Sequence, residues 1–140
     1  MSLIRLSDQE DLVETSRFLH GKYPFGEFNK VQSRVFEVHD KDCNCVIAAP
    51  TSVGKTVCAE MFMADEVRRR GGKAIYLAPL RALAKEKVDD WTSEGSIFSG
   101  LKVSICTGDY RLTDSKLKEL ESSDIIVMTS EMLSSRCRNM

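Results

Sequence analysis

The residues whose types and spacing most clearly indicate chemistry follow a short apolar run in the first half of the chain. They read Ala49-Pro50-Thr51-Ser52-Val53-Gly54-Lys55-Thr56, the phosphate-loop pattern with alanine in place of the first glycine. In such a loop, successive backbone N–H groups surround a β-phosphate and the next helix points its N-terminus at it. Gly54 allows close backbone approach, Lys55 supplies charge for the β- and γ-phosphates, and the Thr56 hydroxyl ligates Mg²⁺. The pattern predicts a Mg-nucleotide site rather than an accidental strand–turn–helix connection.

The composition indicates one folded, soluble domain. The chain has 140 residues, of which 42% are hydrophobic and 29% charged, with a formal net charge of −1. That balance argues against a nucleic-acid binder driven by bulk charge, although a local binding face remains possible. No apolar stretch approaches the ~20 residues of a membrane span, so no membrane partner is expected. Five cysteines without a secretion signal favour reduced thiols and an intracellular location, cytoplasmic or nuclear.

Four apolar runs are short, rich in β-branched residues and nearly free of polar ones, as strands buried on both faces of a parallel sheet are. The predicted strands are Cys45–Pro50, Ala74–Pro79, Val103–Thr107 and Ile125–Thr129. Helical patterns lie before and between them, over Asn29–His39, Val57–Arg70, Arg81–Trp91 and Asp114–Glu121. A capping-box pattern of Ser7 with Glu10 predicts a further helix that reaches about Leu19. This alternation indicates an α/β fold with a parallel sheet, in which ligands bind at the carboxyl ends of the strands.

Several segments resemble motifs of the superfamily 2 DEAD/DExH-box helicases, and they occur in that family's order. The matching segments are Phe28-Asn29-Lys30-Val31-Gln32, the phosphate loop, Ala78-Pro79-Leu80-Arg81-Ala82-Leu83, Thr107-Gly108-Asp109 and Thr129-Ser130-Glu131-Met132-Leu133. Asp89-Asp90-Trp91 is also typical of the Ski-like group of that superfamily. The resemblance implies a three-layer P-loop NTPase (RecA-like) fold with a mostly parallel sheet, incomplete in this chain. Residues 25–140 would be part of the first RecA-like motor domain, and residues 1–24 an N-terminal helical extension.

The resemblance also implies roles for residues of the nucleotide site. ATP and Mg²⁺ are the implied cofactors, and Gln32 would read the adenine edge through its amide. Lys55 and Thr56 would act in catalysis, with Thr56 as the metal ligand. The implied cofactor-binding set is Gln32, Pro50, Thr51, Ser52, Val53, Gly54, Lys55 and Thr56.

A second implied set would hold one strand of nucleic acid, largely independent of sequence, because phosphate contacts carry no base information. It comprises Pro79, Leu80, Arg81, Thr107, Gly108, Asp109, Thr129 and Ser130. Each group follows a predicted strand, so we expect all of them at one edge of the sheet. The alternatives are an ordinary turn after Val103–Thr107 and plain helix starts at Arg81 and Ser130.

The family's Asp-Glu motif, which would hold Mg²⁺ and position water, is not recognised after Thr129, and Asp89-Asp90 and Asp124 lie in the wrong context. No second RecA-like domain follows within the 140 residues. We therefore expect the chain to bind Mg-nucleotide but neither to hydrolyse it nor to unwind nucleic acid. The missing strand would leave an apolar sheet edge, which predicts self-association.

Two other functions stay open at this stage, namely a non-catalytic nucleotide-binding regulatory module and, less favoured, a P-loop kinase acting on a small molecule. Cys43-x-Cys45, with His20 and His39 upstream, has poor spacing for zinc, so we expect core or near-surface thiols rather than metal ligands. Trp91 is expected to pack a helix onto the sheet, whereas Tyr110 could stack on a base.

Overall fold

The computed structural model describes residues 11–50, 54–107 and 113–133. The chain divides into two compact units, Met1–Arg69 and Arg70–Met140. Each unit is described by itself below. No helix within the described ranges combines the length and apolar character needed to cross a membrane.

The N-terminal unit is built from two α-helices and the segment that precedes them. A 3₁₀ turn at Thr15–Arg17 leads to helix α1, Lys30–Val38, and helix α2, Lys55–Ala64, continues into a π-helical turn, Asp65–Arg69. The helix predicted between Ser7 and Leu19 is not formed as an α-helix within residues 11–19, while Ser7 and Glu10 lie outside the described residues. Instead, the backbone of Thr15 bonds to that of Gly26, which folds this segment back on itself.

Aromatic side chains form much of the interior of this unit. Phe18 and Phe28 are buried, and the Tyr23 ring lies 6.0 Å from the first and 5.7 Å from the second. Phe28 also stacks on Phe36 of α1 at 6.0 Å. The segment before α1 is therefore anchored by ring packing together with backbone hydrogen bonds, such as that from the Phe28 N–H to the Val13 carbonyl.

The strand predicted at Cys45–Pro50 is absent, and this prediction was wrong. The segment is described but carries no ladder, and Val46 is 80% exposed. An apolar run becomes a strand only when another strand supplies hydrogen bonds and a packed face. No such neighbour pairs with the segment within the described residues of its own unit.

The C-terminal unit holds a three-stranded parallel sheet and confirms the other three strands. In chain order it contains β1 (Ala74–Ala78), α3 (Arg81–Thr92), β2 (Val103–Cys106), α4 (Asp114–Ser122) and β3 (Ile125–Thr129). The order in the sheet is β1-β3-β2, with both pairs parallel. The central strand β3 is buried at all five positions, as its uninterrupted apolar sequence requires.

Two layers cover this sheet unequally. On one face, Trp91 of α3 packs edge-on against Tyr76 at 5.0 Å and against Phe98 at 5.2 Å, which confirms its packing role. On the other face, Leu120 of α4 packs against Cys106, Ile126 and Met128. The mixed α/β architecture with a parallel sheet agrees with the expected partial RecA-like P-loop fold.

A neighbouring part of that second face is open. Ile75 and Leu77 lie beside Ile126 and Met128 in the register and share their face. They are nevertheless 54% and 44% exposed. The covered apolar surface thus stops at the centre of the sheet and does not extend over β1.

Candidate nucleotide site and nucleic-acid edge

The described part of the phosphate loop ends in a glycine with a left-handed backbone. Gly54 has φ 70° and ψ 47° and is the N-cap of α2. Lys55 and Thr56 form the first turn of that helix and are half-buried. The positive end of a helix dipole, with a lysine beside it, favours an anion. Of the other predicted loop residues, Pro50 is exposed, and Thr51, Ser52 and Val53 lie outside the described residues.

Gln32 lies directly against this glycine. Its side-chain Nε2 donates to the carbonyl oxygen of Gly54 at 3.3 Å. A Cβ atom added at Gly54 would come within 2.6 Å of the same nitrogen. The positive φ favours glycine here, and an added Cβ would also force the Gln32 amide to shift.

The capping box of α1 fixes the orientation of Gln32. Its Oε1 accepts a hydrogen bond from the backbone N–H of Asn29 at 3.0 Å, and the Asn29 side chain accepts from the Gln32 N–H at 2.9 Å. The buried amide thus already bonds to the protein through both its oxygen and its nitrogen. Its second amide proton and second oxygen lone pair remain the groups with which it could read a base.

An adjacent Asp-Glu pair, Asp65-Glu66, was not recognised among the candidate metal ligands in the sequence. The structure places it in the π-helical turn, where Asp65 is 2% exposed. The Asp65 carboxylate takes two hydrogen bonds from the Arg69 guanidinium, at 2.6 and 2.9 Å, and lies 3.5 Å from His20 Nε2. Asp65 follows Lys55 by ten residues on a helix, roughly 15 Å at the α-helical rise. The ion pair of Asp65 with Arg69 therefore stabilises the unit. Asp65 is not placed to hold a phosphate-bound metal.

Charge explains the protonation state of Asp65. Burial by itself raises the pKa of this carboxyl, but the hydrogen bonds and charge of Arg69, with His39 and His20, hold it below its ordinary value. The carboxylate is consequently ionised and paired at neutral pH.

A second buried pair ties the N-terminal segment to α2. The Tyr23 hydroxyl donates to Glu60 Oε1 at 3.2 Å. Burial and the adjacent carboxylate of Glu60 raise the pKa of Tyr23, so the hydroxyl keeps its proton. Residues 1–24 were expected to be an N-terminal helical extension that packs on the domain, and the aromatic residues around Tyr23 were the signal for this contact. This hydrogen bond links the N-terminal segment to the helix that carries Lys55.

The cysteine cluster shows no metal geometry. Among the described residues, no group of three or more His, Cys, Asp or Glu side chains is arranged to hold a metal ion. Cys43 and Cys45 are exposed and Cys58 is buried in α2. Burial, with a smaller contribution from Cys45, raises the pKa of the Cys58 thiol to about 11. A thiol in that state is a poor nucleophile and a poor metal ligand at neutral pH.

In the C-terminal unit, the residues predicted to bind nucleic acid share one edge of the sheet. Register pairs Ala78 of β1 with Thr129 of β3, and Cys106 of β2 with Met128. Because the strands are parallel, the segments that follow them meet at this edge. The residues brought there are Pro79, Leu80, Arg81, Thr107, Thr129 and Ser130, whereas Gly108, Asp109 and Tyr110 lie outside the described residues.

These edge residues differ in exposure. Pro79, Leu80 and Arg81 are exposed, and α3 begins after Leu80 without a side-chain hydrogen bond at its N-cap. Thr107 and Thr129 are buried, and the Thr129 hydroxyl accepts from the backbone N–H of Met132 at 3.3 Å. Thr129 therefore caps the helical turn that follows it. The α3 start and exposed Ser130 are the parts of the edge that a phosphate can reach directly.

Comparison with known proteins matches most of the chain to one family. The family model for "DEAD/DEAH box helicase" matches residues 29–139. "Activating signal cointegrator 1 complex subunit 3" of Homo sapiens is 39% identical over 111 residues, covering 78% of this chain and 5% of that protein. "ATP-dependent DNA helicase Hel308" of Pyrococcus horikoshii is 44% identical over 96 residues, covering 69% of this chain and 13% of that protein.

The Hel308 protein of Methanocella arvoryzae is 46% identical over 99 residues, again 69% of this chain and 13% of that protein. The chain thus spans a small fraction of the curated relatives it matches. The match begins at the Asn29 cap of α1 and includes the phosphate loop and all three strands. The chain belongs to the DEAD/DEAH box helicase family, and its relatives place it with the Ski-like helicases of superfamily 2.

Proposed function

We propose that this chain is the ATP-binding segment of an ATP-dependent nucleic-acid helicase. The observation that carries the proposal is the contact of Gln32 with Gly54, directly before Lys55 and Thr56. It joins two segments that the sequence had singled out separately, and family membership supports the same reading. Helices α1 and α2 belong to the same unit, and their contact brings both sets of residues to one place, where they could serve one ligand.

Each residue of the nucleotide site has a chemical task in this proposal. Lys55 neutralises the β- and γ-phosphates, and the Thr56 hydroxyl is the group that would ligate Mg²⁺. The backbone N–H groups at the start of α2 bind phosphate oxygens. Gln32 reads adenine with its second amide proton and its second oxygen lone pair, which the bonds to Gly54 and Asn29 do not use. Mg²⁺, when bound, offsets phosphate charge.

The sheet edge of the C-terminal unit is the proposed site for one nucleic-acid strand. Arg81 and the N–H groups at the start of α3 provide donors for phosphate oxygens, and Ser130 adds a hydroxyl. None of these contacts distinguishes one base from another. We therefore propose sequence-independent binding that weakens as salt increases.

We further propose that these 140 residues bind Mg-ATP without hydrolysing it. The sequence contains no Asp-Glu-x-His or Asp-Glu-x-Asp motif, and the aspartate of its Asp65-Glu66 pair is bonded to Arg69, away from Lys55. Positioning of metal and water accounts for most of the catalysis of phosphoryl transfer. The helicase cycle would also require a second RecA-like domain as partner.

Titration of the purified chain with a fluorescent ATP analogue and Mg²⁺ tests the nucleotide site. Lys55→Ala removes a charge-assisted contact worth about 1.5–3 kcal/mol, so the Kd should rise about tenfold to a hundredfold. Lys41→Ala is the matched control, because Lys41 is exposed in the same unit and outside the loop. An unchanged Kd for Lys55→Ala would contradict the proposal. ATPase activity of the wild-type chain that disappears with Lys55→Ala would contradict the absence of hydrolysis.

A second copy of the chain is the proposed occupant of the open face at Ile75 and Leu77. Strand β1 pairs on one side only within the described residues, so an apolar face adjoins a free edge. Light scattering over a concentration series should show association that Leu77→Lys abolishes. Leu117→Lys, at an exposed leucine of α4 in the same unit, is the control. A monomer at every concentration would refute this part of the proposal.

A further inference from the structure

Ser33 lies in the interior of the N-terminal unit, next to Gln32 in α1, and its side chain is fully buried. Its hydroxyl oxygen accepts a hydrogen bond from the backbone N–H of Val13 at 2.9 Å. The hydroxyl proton is donated to the carbonyl oxygen of Phe28 at 3.2 Å. A serine hydroxyl has one proton to donate, so the Val13 N–H, which can only donate, directs that proton away from itself and towards the carbonyl.

The carbonyl that Ser33 holds belongs to the same peptide group as the N–H that holds Gln32. The peptide bond between Phe28 and Asn29 is planar, so its carbonyl and its N–H point in opposite directions within one rigid group. The Asn29 N–H donates to Gln32 Oε1 at 3.0 Å. A hydrogen bond that fixes the carbonyl end of this group therefore also fixes its N–H end, and with it the oxygen of the Gln32 amide.

The two ends of the Gln32 amide have chemically different partners. Oε1 faces the Asn29 N–H, which can only donate, whereas Nε2 donates to the Gly54 carbonyl oxygen, which can only accept. A flipped amide would place oxygen against oxygen and N–H against N–H, so the amide is held in one orientation. A fixed orientation distinguishes bases, because adenine presents a donor and an acceptor at N6 and N7, whereas guanine presents two acceptors at O6 and N7.

We propose that Ser33 is a positioning residue for adenine recognition, an inference that rests on the proposed nucleotide site. Its hydroxyl fixes the peptide group that orients the Gln32 amide, and the Val13 N–H fixes the hydroxyl. Because Ser33 is fully buried, it acts through Gln32 and not by contact with the nucleotide. Val13 precedes the residues that match the family model, so the segment before α1 contributes to the selectivity of the site.

Titration of the whole chain with Mg-ATP and Mg-GTP analogues that carry the same fluorophore on the ribose measures this role. The wild type should bind the ATP analogue more tightly. Ser33→Ala removes one neutral hydrogen bond to the peptide group, so the ratio of the GTP Kd to the ATP Kd should fall about twofold to tenfold. Competition by Mg-tripolyphosphate should stay unchanged, because Lys55 and the start of α2 are not altered.

Thr15→Val is the matched control for a purely structural effect. Thr15 is also buried in this unit, and its hydroxyl bonds to the carbonyl oxygens of Phe25 and Gly26 rather than to α1. This substitution should lower the unfolding temperature without changing the Kd ratio. In a double-mutant cycle, Ser33→Ala should lower the ratio no further once Gln32→Ala is present, because the hydroxyl acts only through that amide.

Hydrogen exchange on the wild-type chain tests the same contacts without a substitution, whatever the stability of Ser33→Ala. Mg-ATP should slow exchange at the Val13 and Asn29 amides more than Mg-GTP does, since adenine alone matches the fixed Gln32 amide.

Three results would each overturn the role of Ser33 while leaving the nucleotide site in place. These are equal protection by the two nucleotides, a Kd ratio that Ser33→Ala leaves unchanged, and an equal fall of the ratio in Thr15→Val. A wild type that binds both analogues equally would overturn adenine recognition as a whole, and the role of Ser33 with it. A wild type that binds neither analogue would overturn the proposed nucleotide site itself.

Discussion

Two apolar runs of similar composition have different structures in this molecule. Cys45–Pro50 and Ile125–Thr129 both read as buried parallel strands, but only the second is one. Ile125–Thr129 has a paired strand on each side and a helical layer over each face. Cys45–Pro50 has no paired strand within the described residues of its unit, and Val46 is exposed. Strand structure is thus a property of the neighbours as much as of the run itself.

The largest expected difference comes from truncating one apolar side chain in each run. Ile125 is fully buried, so Ile125→Ala should lower the free energy of unfolding by about 2–5 kcal/mol. Val46→Ala should change it by less than about 0.5 kcal/mol, because Val46 is 80% exposed. Urea denaturation of the two variants and the wild type measures both values. A loss of about 2 kcal/mol or more for Val46→Ala would show that the first run is also packed in solution.

The same difference explains how much could be predicted from sequence. Helices α1, α3 and α4 and strands β1, β2 and β3 agree with their patterns to within a residue or two, because each pattern is matched by a local partner or cap. Asn29 and Thr113, for example, cap their helices with side-chain oxygens. The sheet edge that gathers Arg81 and Ser130 followed from the alternation of strands and helices.

What the sequence could not provide were contacts between residues far apart in the chain. No periodicity indicates that Tyr23 bonds to Glu60 or that His20 approaches Asp65. The contact of Gln32 with Gly54 was likewise not predicted, although each residue had been singled out. The residues of a site can be recognised by type and order, but their mutual distances depend on the packing of the whole unit.

The next-largest effect is expected at the contact of Gly54 with Gln32, which joins two segments of the N-terminal unit where no strands pair among the described residues. Gly54→Ala introduces a side chain at a positive φ and a Cβ atom 2.6 Å from Gln32 Nε2. It should lower the free energy of unfolding by about 1–2 kcal/mol and weaken nucleotide binding. Gly26→Ala is the control in the same unit, since nothing lies within 4 Å of its added Cβ.

A double variant sharpens this result. In Gly54→Ala with Gln32→Ala, the steric part of the loss disappears and the backbone strain remains. Thermal unfolding should therefore show partial recovery relative to Gly54→Ala alone, after allowing for the Gln32→Ala single variant. Strict additivity of the two substitutions would mean that Gln32 does not contact the glycine in solution.

A smaller effect is expected from pH, through the ion pair at the end of α2. The folded-state pKa of Asp65 lies below its ordinary value of 3.8. Such a carboxyl stabilises the folded state above the unfolded-state pKa, and the contribution is lost as pH falls through the folded-state pKa. The stability difference between wild type and Asp65→Asn should thus be largest near neutral pH and shrink below about pH 3.8. Asparagine keeps an acceptor for Arg69, which limits the size of the effect.

Denaturation at a series of pH values measures this difference, with Asp90→Asn as the control. Asp90 is exposed on α3 in the other unit, so its substitution should leave the acid dependence unchanged. A wild-type minus Asp65→Asn difference that stays constant down to strongly acidic pH would rule out the ion pair as its source.

The smallest effect concerns how the formed strand is anchored. Helix α4 has no fully buried residue, yet it leads directly into β3. Lys73, just before β1, donates from Nζ to the carbonyl oxygens of Glu121 and of Ser123, the latter at 2.7 Å. Lys73 therefore links the start of β1 to the start of β3, because it donates hydrogen bonds to carbonyl oxygens at the end of α4.

Lys73→Met keeps most of the side-chain volume and removes the donor, and should lower the free energy of unfolding by about 0.5–1 kcal/mol. Lys118→Met, on the exposed side of α4, should have a smaller effect. Hydrogen exchange would locate the loss, with faster exchange expected at the C-terminal turn of α4 before any change in β3. If exchange accelerates first in β3, the strand depends on Lys73 more than on the strands that pair with it. The difference between Ile125–Thr129 and Cys45–Pro50 would then be due to local hydrogen bonds rather than to sheet pairing.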